Sequence, residues 1–326
     1  MKKVKDDIKF DMTRNGFGKA LLELGRMSKD IVTLSADLTD STRAGWFKKE
    51  FPDRFFSFGV AEQDMMSTAA GFALSGKIPF ACTFGAFAAG RAWDQIRVSI
   101  DYMNLNVKII GTHGGVSVGE DSHTHQALEE ITLMRVLPNM TVFVPCDSIE
   151  SKKATIKAAG CKGPVYIRLG RNPSPIVTNE DDPFDIGKGV LIKKGKDVTI
   201  VACGQLVYEA IRAADLLSEE NIDARVINLH TLKPADEKIL VKAAKETGAV
   251  VTAEEHSLYG GLGSTVSEVL SQNYPIPIKM IGMTECGQSG TPQELFKCYN
   301  LLAKDIVKAA KSALKMKGIA RRRLPA

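Results

Sequence analysis

The chain has 326 residues, 44% apolar and 25% charged, with 43 lysines and arginines against 38 acids for a formal charge of +5. That length suits two compact units, and the apolar content is enough to build real cores, so disorder is not expected away from the ends. Bases and acids are interleaved except in MKKVK at the start and KMKGIARRR at the end, and no basic stripe carries aromatics between its charges; a nucleic-acid partner is therefore not expected.

The two basic ends read as solvated tails, the second over residues 319–326. The six cysteines, Cys82, Cys146, Cys161, Cys203, Cys286 and Cys298, form no CxxC pair, so neither a disulfide framework nor a zinc site is indicated. A reducing, cytoplasmic location fits that usage. The charged amino terminus is not a secretion signal, and no run approaches the roughly 18 apolar residues of a membrane span, so no membrane association is expected.

In chain order, short β-branched runs alternate with amphipathic segments. IVTLSA is followed by a small-residue helix from about Glu62 to Leu74, then IPFACTF, a helix through AWDQIRVSIDYM, and VKIIGTH. A helix near LEEITLMRVL, the strand TVFVP, a helix over SIESKKATIKAAG and the strand PVYIRL complete the first half. Strands alternating with helices predict a mainly parallel sheet flanked by helices, here over residues 1–175. Residues 172–188, NPSPIVTNEDDPFDIGK, hold three prolines and a run of acids without periodicity, and residues 176–189 read as a linker.

The alternation resumes with DVTIVACG, LVYEAIRAADLLSEE, ARVINLHTL, ADEKILVKAAKETG, AVVTAEEH, GGLGSTVSEVLSQ and PIKMIGM, predicting a second, smaller α/β domain over residues 190–318. In such sheets ligands gather beyond the carboxyl ends of the strands. SADLTDST, TFGAF, GTHGG and RLGRN all stand at those places. GGLGS before a helix invites a phosphate-loop reading, but it matches neither the Walker pattern nor GxGxxG, so a plain strand-to-helix turn is the better reading.

Three of the five histidines, His113, His123 and His125, fall in one glycine-punctuated stretch, GTHGGVSVGEDSHTHQ. With Glu120 and Asp121 beside them they have acceptable metal-ligand types, although HxH is common in loops and exposed or internally bonded histidines read equally well. Glu62 stands in the first turn of a helix otherwise rich in Ala, Met, Ser and Gly. It is favourable to the helix dipole there and, in so packed a setting, is also a candidate for moving a proton. Phe84 and Phe87, three apart among small residues, could be ordinary core or a stacking wall for a flat heterocycle.

SADLT, GVAEQ, TFGAF, GTHGGVSVGEDSHTHQ, LPNMTVFVPCD and RLGRN, in that order, resemble the carboxy-terminal two thirds of transketolase, from about residue 8 to residue 315. The most specific motif is the GEDxxTHQ loop followed by LPN. The resemblance implies a thiamine-diphosphate-fold pyrimidine-binding domain followed by a transketolase C-terminal-like domain. It further implies that Glu62 hydrogen-bonds the aminopyrimidine of thiamine diphosphate and promotes the tautomer that removes the reactive proton. Phe87, with Phe84 nearby, would form the stacking wall, and Asp37 would lie beside the cofactor.

For a sugar phosphate, the same resemblance assigns the phosphate to Arg14, Ser41, His113 and Arg171, a donor hydroxyl to Asp121, and the reacting end of the ketose to His125. Many transketolases have proline where this chain has His123, for which an exposed or rim position is expected. No GDG followed some way on by Asn occurs anywhere in the chain, and in this superfamily that motif holds Mg²⁺ and the diphosphate. The expectation is one subunit of a split transketolase, inactive alone, completed by an N-terminal partner subunit in an α2β2 heterotetramer. Two alternatives remain: a half-chain of deoxyxylulose phosphate synthase or a related ketoacid-using enzyme, and a non-catalytic binding or regulatory subunit.

Overall fold

A computed structural model of the chain describes residues 8–323, with side chains to residue 318. The basic segment at residues 1–7 and the last three residues lie outside the described residues. The final helix, Ala303–Arg323, carries its backbone into the segment expected as the basic tail.

Seven strands form the first sheet, in the spatial order Thr231–Lys233, Thr141–Phe143, Val165–Arg168, Lys108–Thr112, Ile78–Phe84, Ile31–Ser35 and Phe55–Ser57. All neighbours are parallel except the first pair, so six carboxyl ends share one edge. The central strands are buried along almost their whole length, and successive side chains enter opposite cores, as in a sheet covered on both faces. Phe80, Cys82, Ile110, Val165 and Ile167 face a core shared with Phe17, Leu21, Phe47 and Ala154. Ala81, Ile109 and Tyr166 face the opposite core, with Met65, Met66 and Ile96.

Two helices that the periodicity left unread, Thr13–Met27 and Ala44–Glu50, cover the first of these faces beside Ser148–Gly160. Gly16 makes the crossing of Thr13–Met27 over Ser148–Gly160 possible: a Cβ there would stand 1.9 Å from the Ser148 carbonyl oxygen. The segment AWDQIRVSIDYM is helical as expected, but a wide π-turn at Phe87–Arg91 leads into it and a second lies within it at Ile96–Asp101. Such turns recur at functional sites, and the first begins at a candidate residue.

The second sheet has five strands, ordered Ile278–Met283, Val250–Ser257, Val198–Ala202, Ala224–Asn228 and Val190–Lys193, the last antiparallel. Leu206–Glu219 and Ala303–Arg323 cover one face over Val198, Ile200 and Ala202. The two units are not merely tethered. Thr231–Lys233, which follows Ala224–Asn228, leaves the second sheet and adds an edge strand to the first. Asp147, the N-cap of Ser148–Gly160, also accepts hydrogen bonds from the Val177 and Thr178 amides at 2.8 and 2.7 Å, tying down the start of the connecting segment. Farther along that segment Phe184 is buried against Phe143.

Candidate active site

The loops beyond the common strand edge converge as the motif placement predicts. His113 follows Lys108–Thr112 directly, in a left-handed backbone conformation (φ 58°) that is uncommon for a residue with a side chain. It is 3% exposed, its ring stacks on Phe84 at 3.7 Å, and its Nδ1 is 2.9 Å from Thr112 Oγ1. Burial, reinforced by Arg14, Arg171, His125 and Arg43, pushes its pKa down to about 3, so it is a neutral imidazole that donates or accepts without carrying charge.

Phe84 and Phe87 stack at 5.8 Å, and His125 meets the edge of Phe87 at 5.4 Å. Both phenylalanines therefore face the histidine loop, Phe84 from a buried position and Phe87 from a half-buried one. Glu62, the first residue of Glu62–Leu74, is buried, and its carboxylate takes an ion pair from Arg91 at 2.8 Å. The Arg91 guanidinium stands 4.8 Å over the Phe87 ring. A continuous row thus runs from Glu62 through Arg91 and Phe87 to His125, and through Phe84 to His113.

At the other end of the row, Arg171 donates to the Val118 carbonyl at 2.7 Å and lies 3.4 Å from both Glu120 and Asp121. Arg14 donates to the Ser41 carbonyl at 2.7 Å, bringing the Ser41 loop to the same place. Burial, with Arg43 and Arg171 nearby, lowers the Arg14 pKa to about 10. Asp37 is exposed in a left-handed turn (φ 58°), a conformation that aspartate tolerates. His123 is exposed, the position expected for it. Among the described residues no group of three or more His, Cys, Asp or Glu side chains is gathered as a metal site.

The GGLGS turn holds no room for an external anion at its helix start. Glu254 already accepts from the Leu262 and Gly263 amides at 2.7 and 2.8 Å. The turn is therefore internally capped, as the plain reading of those glycines has it.

Several residues at the site were missed from sequence. Arg91 lies four positions after Phe87, a spacing that puts both on one helical face and could have flagged it. Arg43, two positions after Ser41, donates to Asn15 Oδ1 at 2.8 Å. Glu255, from the second sheet, accepts from the Ser117 amide at 3.2 Å and so supports the histidine loop from beneath. Gly115 makes that approach possible: its φ is +91° and a Cβ would stand 2.4 Å from the Glu255 carboxylate. Nothing in local sequence pattern points to a contact spanning so much of the chain.

Comparison with known proteins agrees with this arrangement. The family model described as transketolase, pyrimidine binding domain, matches residues 11–175, and that of the transketolase C-terminal domain matches residues 187–306. The 6-deoxy-6-sulfo-D-fructose transketolase subunit SqwH of a Clostridium species is 42% identical over 91% of this chain and 92% of its own length. A subunit of the apulose-4-phosphate transketolase of Phocaeicola vulgatus is 40% identical over 91% of this chain and 96% of its own. A solved structure described as a split gene transketolase, inactive beta4 tetramer, is 52% identical, with a TM-score of 0.89 over 94% of this chain and 99% of that one.

Proposed function

The chain belongs to the transketolase family of thiamine-diphosphate-dependent transferases, and we propose that it is the subunit of a split transketolase that grips the cofactor's pyrimidine and reads the sugar. In this reading the complete enzyme moves a two-carbon ketol unit from a ketose phosphate to an aldose phosphate. The observation that carries it is the continuous row from the buried Glu62 through Arg91 and Phe87 to His125. A flat, weakly basic ring fits between a buried carboxylate and an aromatic face, which is what Glu62 and Phe87 offer. Bound there, thiamine diphosphate would supply the nucleophilic carbon and electron sink that ketol transfer needs.

Glu62 holds the proton inventory of that ring, Phe87 with Phe84 sets its plane, and Asp37 lines the approach. His125, whose Nδ1 is 2.9 Å from Thr124 Oγ1, has its other ring nitrogen left to bond the reacting end of the sugar. Asp121 takes a donor hydroxyl, and Arg14, Ser41, His113 and Arg171 take the phosphate. His113, being neutral, contributes a hydrogen bond rather than a charge. The diphosphate and Mg²⁺ fall to an N-terminal partner subunit, two copies of each chain forming an α2β2 heterotetramer. The names of the relatives as transketolase subunits, and of the solved relative as an inactive tetramer of its beta chain, support that division. Six free cysteines support a reducing, cytoplasmic location. Among the described residues no helix is long and apolar enough to cross a membrane.

The test is ketol transfer from xylulose 5-phosphate to ribose 5-phosphate, with thiamine diphosphate and Mg²⁺, by the chain alone and mixed with a candidate N-terminal subunit. Turnover in the mixture alone is the expected result. Turnover by the chain alone removes the split reading, and a requirement for pyruvate with release of carbon dioxide removes ketol transfer.

A further inference from the structure

Arg43 has no part in the roles assigned above, yet its side chain is held beside them. It adopts a left-handed backbone conformation (φ 69°) at the start of Ala44–Glu50. Its Nε donates to Asn15 Oδ1 at 2.8 Å, its Nη1 to the Asp40 carbonyl at 3.0 Å, and its guanidinium lies 5.8 Å over the Trp46 ring. Its Nη2 is 3.3 Å from the Met12 sulfur, and Arg14 Nη2 is 3.3 Å from the same atom, which bounds the separation of the two guanidiniums at twice that distance.

Two like charges so close are unfavourable unless something compensates them, and among the described residues no carboxylate lies within ion-pair distance of either. Every partner they have is neutral: carbonyls, an amide, a thioether and the Trp46 ring. The Nε of Arg14 is buried with no hydrogen-bond partner at all. Arg171 differs, because Glu120 and Asp121 both stand 3.4 Å from it. His113, buried and neutral, adds no charge. The uncompensated charge of the subsite is therefore that of two guanidiniums.

Resting on the sugar-phosphate reading above, we infer that Arg43 is a specificity-determining residue, which with Arg14 selects a doubly charged phosphate monoester over a singly charged sulfonate. A phosphate monoester carries its second charge above a pKa of about 6 and offers three oxygens to planar donors. A sulfonate of the same shape leaves one of the two guanidiniums without a counter-charge.

The experiment is calorimetric titration of the full-length chain at pH 8 with ribose 5-phosphate and with its 5-sulfonate analogue. Arg14, Arg43, His113 and Arg171 all belong to this chain, so no partner subunit is needed. Wild type is expected to prefer the phosphate by about tenfold or more, the scale of one charge-assisted contact. Arg43→Leu should bring the preference to within about threefold by losing phosphate affinity while sulfonate affinity holds, and Arg43→Lys should restore part of it. On lowering the pH to 5, wild type should lose the phosphate more steeply than the sulfonate. Equal losses for both ligands in Arg43→Leu, with Arg43→Lys and the thermal melt confirming a folded chain, overturn the inference. So does a wild type without preference, including one that binds neither ligand. If selection behaves as stated but the subunit mixture does not turn over, the ketol-transfer reading fails and the subsite stands. Turnover with unchanged selection in Arg43→Leu removes the subsite assignment alone.

Discussion

Arg91 Nη1 lies 2.8 Å from Glu62 Oε2, joining a guanidinium that is 46% exposed to a carboxylate that is 1% exposed. The pair gives the buried acid its counter-charge without burying the base, and it keeps the carboxylate at the foot of Glu62–Leu74, next to Phe87. A carboxylate held this way can exchange one partner for another, which is what a proton-managing acid must do when a ring arrives.

Glu62→Gln keeps the shape of the side chain and removes its ability to hold or release a proton. In the mixed subunits, ketol transfer should fall by about 10²–10⁴-fold, the usual worth of a positioned acid or base. The melting temperature should stay near that of the wild type. Normal turnover in this variant would remove Glu62 from the centre of the proposed chemistry.

Arg171 is anchored by the Val118 carbonyl and by two acids, and in the proposed function its remaining donors would serve substrate. Arg171→Ala should raise KM for phosphorylated sugars by about 10 to 100-fold, one charged hydrogen bond's worth, while kcat changes little. A nonphosphorylated ketose should be nearly indifferent to the change. An equal rise for both donors would mean that Arg171 supports the loop and does not bind phosphate.

The strand-end motifs were legible because the physics behind them is local. Alternating runs such as IPFACTF and VKIIGTH fix the strands, and parallel strands put the residues after them on one edge. His113, Phe84, Phe87 and Arg171 could be placed at that edge for that reason. What local pattern cannot reveal is convergence from far along the chain. Arg43 matters through its closeness to Arg14, Glu255 through its bond to Ser117, and Thr231–Lys233 through pairing with a sheet that the other strands of its own half do not join. The two unread helices at the start carry apolar residues at helical spacing, but the crossing at Gly16 is settled by packing.

The unit boundary is itself held by buried charge. Arg168, at the end of its strand, pairs with Glu130 at 2.6 Å and with Glu255 at 3.8 Å, and donates to the Glu255 carbonyl at 2.9 Å. Burial works against the charge of Arg168, but the two carboxylates raise its pKa, so it remains a cation. Removing one member strands the others, so Arg168→Met should destabilise the chain by about 3–5 kcal/mol in urea titration. Adding Glu255→Gln to it should cost less than the sum of the two single changes, because the second substitution removes a charge the first left unpaired. Strict additivity would mean the contacts do not act as one network.

A pH dependence follows from Glu254, buried beneath the GGLGS turn. Burial pushes its pKa up to about 7, although the Leu262 and Gly263 amides work the other way. Below the ordinary value of 4.5 it is protonated in both folded and unfolded chains and contributes no pH dependence. As pH rises from there to 7, the unfolded chain ionises first, so about 3 kcal/mol of stability is lost, and the loss is complete once the folded group ionises too. The buried histidines act with the opposite sign: His113, His230 and His256 are pushed down to about 3, 4 and 3, so stability is lost as pH falls below their usual 6.5. His256 is held neutral by burial and by the nearby charge of Arg168, and its Nε2 accepts the Ile131 amide at 3.2 Å, a bond a protonated ring could not make. Comparing Glu254→Gln with wild type cancels His113 and His230. His256, whose Nδ1 stands 3.8 Å from Glu254, is neutral in the folded chain above about pH 4.5, so the carboxyl sets the difference in that window. The variant should gain on wild type as pH rises from about 4.5 to about 7, and hold a constant difference above that. Parallel stability profiles for the two proteins across that window would mean that Glu254 ionises in the folded chain as easily as in the unfolded one, and that the cap at GGLGS carries its charge without penalty.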